Sequence, residues 1–140
     1  MTQHYQFDEA FEVKLLEGFK TVPFARLLGA EMVDISHGEA VLSLDMRAEL
    51  KQPYGVLHGG ATASLMDTAT AFAVFTVIGP EEKATTSTLT VHYLRPHAEG
   101  RLSCTAKVIK TGRKVITVNA EVVNDAGELV ATAISSYSRI

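Results

Sequence analysis

The chain has 140 residues, 46% of them hydrophobic, a formal net charge of −3 and one cysteine, Cys104. That length suits a single domain with its own core, the composition excludes a disordered chain, and the weak acidity argues against general nucleic-acid binding. A lone cysteine excludes a disulfide framework and a cysteine-based metal site.

The opening residues, M-T-Q-H-Y-Q-F-D-E, are acidic and lack the apolar core of a secretory signal. A reducing cytoplasm is the expected location. Phe11, Leu15 and Phe19 then recur every four residues, with Glu9, Glu12 and Lys14 between them. This spacing predicts an amphipathic helix capped by Asp8. From Pro23 to Leu28 one further turn is expected, opened by proline and ended by Gly29. Residues 1–29 thus read as an N-terminal helical segment of one domain spanning 1–140. Two strands follow, 32–35 and 40–46, joined by Ser36-His37-Gly38-Glu39. In the second, Ala40, Leu42, Leu44 and Met46 alternate with Val41, Ser43 and Asp45, so one face is buried.

A polar loop over 47–54 leads into G-V-L-H-G-G-A-T-A-S-L-M-D-T-A-T-A-F-A-V-F-T-V-I-G, from Gly55 to Gly79. After His58-Gly59-Gly60 the run is free of proline and internal glycine for about five helical turns. No face of it is charged, so the helix is expected to be buried nearly all round. Its Thr, Ser and Ala content, with Asp67 near the middle, argues against a membrane span. A carboxylate in such a helix is costly unless paired, hydrogen-bonded or functional. Two readings of Asp67 therefore stand side by side: a structural carboxylate bonded to nearby backbone or to Thr70, or a group kept for chemistry.

Past Gly79-Pro80 four strand-like runs come in succession, 84–94, 102–109, 115–123 and 129–137. In the first, Leu89, Val91 and Tyr93 are expected to face opposite Thr86, Thr88, Thr90 and His92. Short turns between successive strands imply antiparallel hairpins. The whole order gives an α+β fold, an antiparallel β-sheet wrapped around one long central helix that covers its apolar face.

The sequence holds no G-x-x-x-x-G-K-[ST] loop and no G-x-S-x-G turn, and His92 and His97 lack zinc spacing. No metal ligand is assigned. What remains is a turn and a helix. Gly59 and Gly60 sit at a helix N-terminus, where amides point outward and the dipole is positive. Glycine lets a substrate oxygen approach such donors closely, as an oxyanion hole requires. Asp67 lies two turns on, at nearly the azimuth of Gly60 but roughly 10 Å along the axis. One chain does not bring both to a single carbonyl; two chains packed across this helix do. Separately, 95–114 hold Arg95, Arg101, Lys107, Lys110, Arg113 and Lys114 against Glu99 alone, a basic excess able to receive phosphates or merely to face solvent.

The run Gln52-Pro53-Tyr54-Gly55-Val56-Leu57-His58-Gly59-Gly60, followed by Ser64-Leu65-Met66-Asp67-Thr68-Ala69, resembles the hotdog-fold acyl-CoA thioesterases. It is most similar to the subfamily typified by the phenylacetate-degradation thioesterase and its medium-chain acyl-CoA relatives. Tyr93-Leu94-Arg95-Pro96 with Gly100, and Gly112-Arg113-Lys114, fit the same pattern, and the resemblance runs from about Phe24 to the C-terminus. It implies that Asp67 is the catalytic carboxylate, as nucleophile or as general base toward water. Gly60 would give its amide to the thioester oxygen, with Gly59 beside it in the substrate turn. His58 and Gln52 would orient the carbonyl or the water, and Thr86 would position the attack. Arg95, Arg113 and Lys114 would lie near the phosphates of coenzyme A, which enters as part of the substrate; no separate cofactor is implied. A homodimer with paired central helices, assembled further as a dimer of dimers, is also implied, with neither nucleic acid nor membrane as partner.

Two other functions remain open at this stage. A hotdog dehydratase would use a His and an acid on one helix, and His58 and Asp67 supply those residue types. A non-catalytic acyl-CoA-binding domain would use the same turn without turnover. The acyl group is expected to meet Ala71, Phe72, Val74 and Phe75 together with the N-terminal region from Phe7 to Phe24, walls that suit an aryl or a medium-chain group.

Overall fold

Asp8 accepts the Phe11 amide at 2.9 Å and so caps the N-terminus of helix α1, Glu9–Phe19. The computed structural model describes residues 6–140; residues 1–5, which open the stretch read as lacking a signal core, lie outside them. Pro23 starts α2, Pro23–Leu28, and Gly29 ends it at φ 85°, a left-handed cap. The guanidinium of Arg47 closes the same end by donating to the carbonyls of Leu27 and Leu28.

Six strands form one sheet: β1 Glu31–Ser36, β2 Glu39–Asp45, β3 Ala84–Tyr93, β4 Arg101–Thr111, β5 Val115–Val123 and β6 Leu129–Arg139. Their spatial order is β1-β2-β4-β5-β6-β3, and every neighbouring pair is antiparallel, but the hairpin expected between β3 and β4 is not formed: β3 pairs with β6, and β4 lies between β2 and β5. The central helix α3, Gly59–Phe75, follows a short 3-10 turn at Ala48–Leu50 and packs against β2, β4, β5, β3 and β6. A sheet laid around one long helix was expected from the order of elements, and this is the hotdog arrangement that the resemblance implied. Among the described residues no helix is long and apolar enough to cross a membrane.

The core lies between α3 and the sheet. Leu65, Met66, Ala69 and Ala73 meet Leu42, Leu44, Leu102, Ile116, Val118 and Val122, all of them buried. Truncating Leu65 or Met66 to Ala would cost about 2–5 kcal/mol, so the helix has a fixed seat. Its hydroxyls do not oppose burial, because they bond the turn above. Ser64 Oγ donates to Gly60 O, Thr68 Oγ1 to Ser64 O and Thr70 Oγ1 to Met66 O, at 2.7 to 2.9 Å.

The helix is not buried all round. Gly60, Ala63, Ser64, Asp67, Thr68, Ala71 and Phe75 stay half-buried or exposed, because a single sheet covers only one side of a helix. The face left over is uncharged except for Asp67.

A second departure concerns β3. Its pairing with β6 runs Thr86 to Tyr137 and then Thr88 to Ser136, so Ser87 is an extra residue in the strand. This bulge resets the alternation. Leu89 and Val91 face the helix side, as expected, but upstream of Ser87 it is Ala84 and Thr86 that turn inward, while Thr85 is exposed. Simple period-two reading placed Thr86 on the opposite face.

Candidate active site

Asp67 sits on the uncovered face of α3, half-buried. Thr86 Oγ1 donates to its Oδ1 at 2.8 Å. The phenol of Tyr137 lies 3.3 Å from the same oxygen and 2.8 Å from the Asp67 backbone carbonyl. Thr70, the partner considered from sequence, instead bonds helix carbonyls and stands 2.8 Å from the Tyr137 hydroxyl. Both contacts to the carboxylate therefore fall on Oδ1, and Oδ2 has no hydrogen-bond partner among the described residues. Burial, the largest influence, pushes the Tyr137 phenol up to about 12, so it stays protonated and able to donate at ordinary pH.

The turn at the start of α3 is built by two side chains. His58 is the N-cap, and its Nδ1 accepts the Gly60 amide at 2.8 Å. On the other side Tyr93, at the end of β3, donates its hydroxyl to Gly59 O at 2.9 Å. Its ring lies so close that a Cβ on Gly59 would sit 3.3 Å from ring carbons, a close approach that favours glycine there. Gly60 N–H is thus occupied by His58, whereas Gly59 N–H, first in the helix, has no acceptor among the described residues.

Gln52 holds the preceding loop. Its side-chain oxygen accepts the Tyr54 amide, its backbone N–H donates to Val56 O at 2.8 Å, and its carbonyl accepts from Gly55 N at 3.0 Å. The side-chain oxygen being used, its two amide N–H groups are left to face a ligand or a partner. Beside the turn opens a cavity of about 350 Å³ lined by Phe24, Leu27, Leu28, Leu50, His58 and Gly60. Phe24 and Leu27, 52% and 72% exposed, are the most exposed of its apolar lining residues. Of the helix residues expected to wall an acyl pocket, Phe72 and Val74 are in the core instead. Phe72 is held edge-on between Phe19 and Phe75, at 5.2 Å from each.

The basic residues of 95–114 do not gather into one patch. Arg101 makes a two-pronged bond to Asp45 at 2.8 and 3.2 Å, and Arg95 pairs with Glu128 at 3.1 Å. Arg113 and Lys114 are exposed in the β4–β5 turn. Antiparallel pairing puts that turn beside the start of β3, whereas Arg95 follows its end. The length of a ten-residue strand, about 33 Å, separates them.

Sequence reasoning singled out the glycine turn, Asp67 and Thr86, of which the structure brings the last two into contact, and it passed over Tyr137 beside them and the bond from Tyr93 to Gly59. Tyr137 is inward in the alternation of β6 with Ala133 and Ser135, which is the only trace it leaves in the sequence.

Residues 54–131 match the Thioesterase superfamily. The acyl-coenzyme A thioesterase PaaI of Escherichia coli is 32% identical over 108 residues, 76% of this chain and 75% of that protein. The 1,4-dihydroxy-2-naphthoyl-CoA hydrolase of Listeria monocytogenes is 25% identical over 103 residues, 74% of this chain and 84% of that one. Among solved structures, a variant of the phenylacetic acid degradation protein PaaI from Thermus thermophilus superposes with a TM-score of 0.79 at 32% identity, covering 85% of this chain and all of that one.

Proposed function

We propose, from the premise that the chain belongs to the thioesterase superfamily and is a thioester hydrolase, that its substrate is an acyl-CoA with an aryl or medium-chain acyl group. In this reading Asp67 is the reacting carboxylate, the glycine turn receives the thioester oxygen, and water and the thioester become a free acid and coenzyme A. The observation that carries it is the carboxylate itself: half-buried on an otherwise uncharged helix, held through Oδ1 by Thr86 at 2.8 Å, with Oδ2 free. Oδ2 either takes a proton from the attacking water or attacks the carbonyl itself. A carboxylate oxygen suits either role, as proton acceptor or as nucleophile.

The open amide of Gly59 is the donor ready for the developing oxyanion, and Gly60 adds its own when the oxygen displaces His58 Nδ1. One such donor lowers the barrier by about 3 kcal/mol. With Nδ1 as acceptor, neutral His58 carries its proton on Nε2 and can direct it at the carbonyl; Gln52 offers its amide N–H groups to the same oxygen or to the water. The acyl group enters the cavity lined by Phe24, Leu27, Leu28 and Leu50. The relatives act by name on different acyl groups, so the fit of this cavity sets the preference. The reaction needs an ionised carboxylate, oxyanion donors and water, and so calls for no cofactor.

The site is shared between two chains in this reading. Gly60 and Asp67 are roughly 10 Å apart along α3, too far for one thioester carbonyl. The long strand β3 is a sheet edge with a free row of backbone groups, and the uncovered face of α3 lies behind it. Two-fold antiparallel pairing of β3 would lay its start, at Thr86 and Asp67, beside the partner's end, at Tyr93 and the Gly59 turn. The same operation would bring Arg95 of one chain toward Arg113 and Lys114 of the other, where they receive the phosphates. A dimer of such dimers is the proposed assembly.

Asp67→Asn tests the assignment. The amide is nearly isosteric but is neither base nor nucleophile, so turnover on the best acyl-CoA of an aryl and straight-chain panel should vanish while acyl-CoA binding persists. A kcat near that of the unaltered enzyme would make Asp67 structural.

A further inference from the structure

We propose that Tyr137 is a positioning residue of the reaction: with Thr86 it pins Oδ1 of Asp67, so that the carboxylate plane is fixed and Oδ2 alone faces the thioester or its water. The inference rests on the reading of Asp67 as the reacting carboxylate. Its basis is geometric. Thr86 and Tyr137 are directly paired across β3 and β6, and the Ser87 bulge in β3 turns Thr86 toward the side chain that Tyr137 also reaches. Thr86 Oγ1 is 2.8 Å and Tyr137 OH 3.3 Å from Oδ1.

The last torsion of an aspartate is broad and nearly two-fold. One donor on Oδ1 leaves the carboxylate free to turn about that contact; a second donor from another direction does not. Tyr137 is well suited to the task because it is 1% exposed and its ring cannot leave the core. Its hydroxyl has one proton and three oxygens in reach: Asp67 Oδ1, Asp67 O and Thr70 Oγ1. The Asp67 carbonyl already belongs to the helix ladder and lies 3.0 Å from Thr70 Oγ1. A bond to an ionised acceptor is roughly twice as strong as one to a neutral acceptor. The ionised carboxylate therefore draws the phenol proton, and the Asp67 carbonyl at 2.8 Å takes it when the carboxyl is neutral. Because burial keeps the phenol protonated up to about 12, Tyr137 donates throughout the working range and takes no proton from substrate.

Tyr137→Phe keeps the ring and its packing, and Thr70 retains its helix carbonyls. A fall in kcat of about tenfold is expected, the order of one modest transition-state interaction, with KM for acyl-CoA within about twofold. The acid limb of the kcat/KM profile should move to higher pH, since the ionised carboxylate has lost a donor; a residue that only fills space would leave that limb in place. Asp67→Asn is assayed beside it. If Asp67→Asn keeps turnover, the reading of Asp67 fails and this inference with it. If Asp67→Asn is inactive while Tyr137→Phe keeps kcat and an unmoved acid limb, the inference about Tyr137 alone is overturned. Thr70→Val, which removes the other hydroxyl on the phenol, serves if Tyr137→Phe does not fold. With that competing acceptor gone the phenol donates more fully to Oδ1, so the acid limb should move to lower pH, and an unmoved limb again overturns the proposal.

Discussion

His58 Nδ1 accepts the amide proton of Gly60 at 2.8 Å, so one imidazole both caps α3 and fixes the turn that faces the cavity. The cap and the proposed contact to substrate use different nitrogens, which makes them separable. Asn is a good N-cap acceptor but has no ring donor, whereas Ala is neither. His58→Ala should lose about 1 kcal/mol of stability in urea unfolding, and His58→Asn only a few tenths. Both should lose kcat if Nε2–H acts on the thioester. An Asn variant with full kcat would confine the imidazole to capping.

The Ser87 bulge makes a second prediction. Deleting Ser87 restores period two through β3 and turns Thr86 away from Asp67. The lost contact is a hydrogen bond to a charged group, about 1.5–3 kcal/mol, so kcat should fall about 10- to 100-fold. Thr86→Val should fall by a similar factor without altering the strand. A folded deletion variant with undiminished kcat would show that the bulge does not serve the site.

The Ser87 bulge lies beyond what the sequence shows. The order of elements, the Asp8 cap, the Gly29 stop and the β1–β2, β4–β5 and β5–β6 hairpins were legible, because each is written in residues a few positions apart; the pairing of β3 with β6 instead of β4 was not, since it joins strands far apart in the chain. The bulge was not, since an extra residue in a run of Thr and Ser leaves no mark on a polar alternation. The exposed face of α3 was not either, because a helix without charge gives no sign of how much of it one sheet can cover. Tyr137 lies 70 positions from Asp67, and only the strand register joins them. The basic run at 95–114 is contiguous in the chain but divided in space by the length of β3 and by the partners Asp45 and Glu128.

Two buried groups set the alkaline limit. Burial pushes the Cys104 thiol from 9.0 up to about 12, and it is also the largest cause of the rise of Tyr137 from 10.0 to about 12, with Thr70 and Thr86 opposing and the Asp67 charge adding. Both protons are held more tightly in the folded chain than in the unfolded one. Stability from these groups is therefore complete below about pH 9 and is lost as pH rises toward their folded values. Each contributes a slope of roughly 1.4 kcal/mol per pH unit within its window. Melting temperatures measured from pH 8 to 11 should fall, and Tyr137→Phe should flatten the decline above about pH 10. A constant Tm across that range in the unaltered protein would contradict the burial argument.

The proposed sharing of the site between two chains is tested by mixing two inactive variants. Asp67→Asn and Gln52→Ala alter groups that, under two-fold pairing of β3, meet only across the interface. Each is first shown to be nearly inactive alone. The two are then unfolded, mixed equally and refolded, so that about half of the dimers are hybrids. In a hybrid one site receives both substitutions and the other receives neither, so one site in two works in half the dimers. About a quarter of the activity of the unaltered enzyme should return. Were each site contained in one chain, every site would carry a substitution and none would work. Native mass spectrometry establishes that hybrids are present, and their presence without any recovered turnover would place Asp67 and Gln52 in a site of one chain.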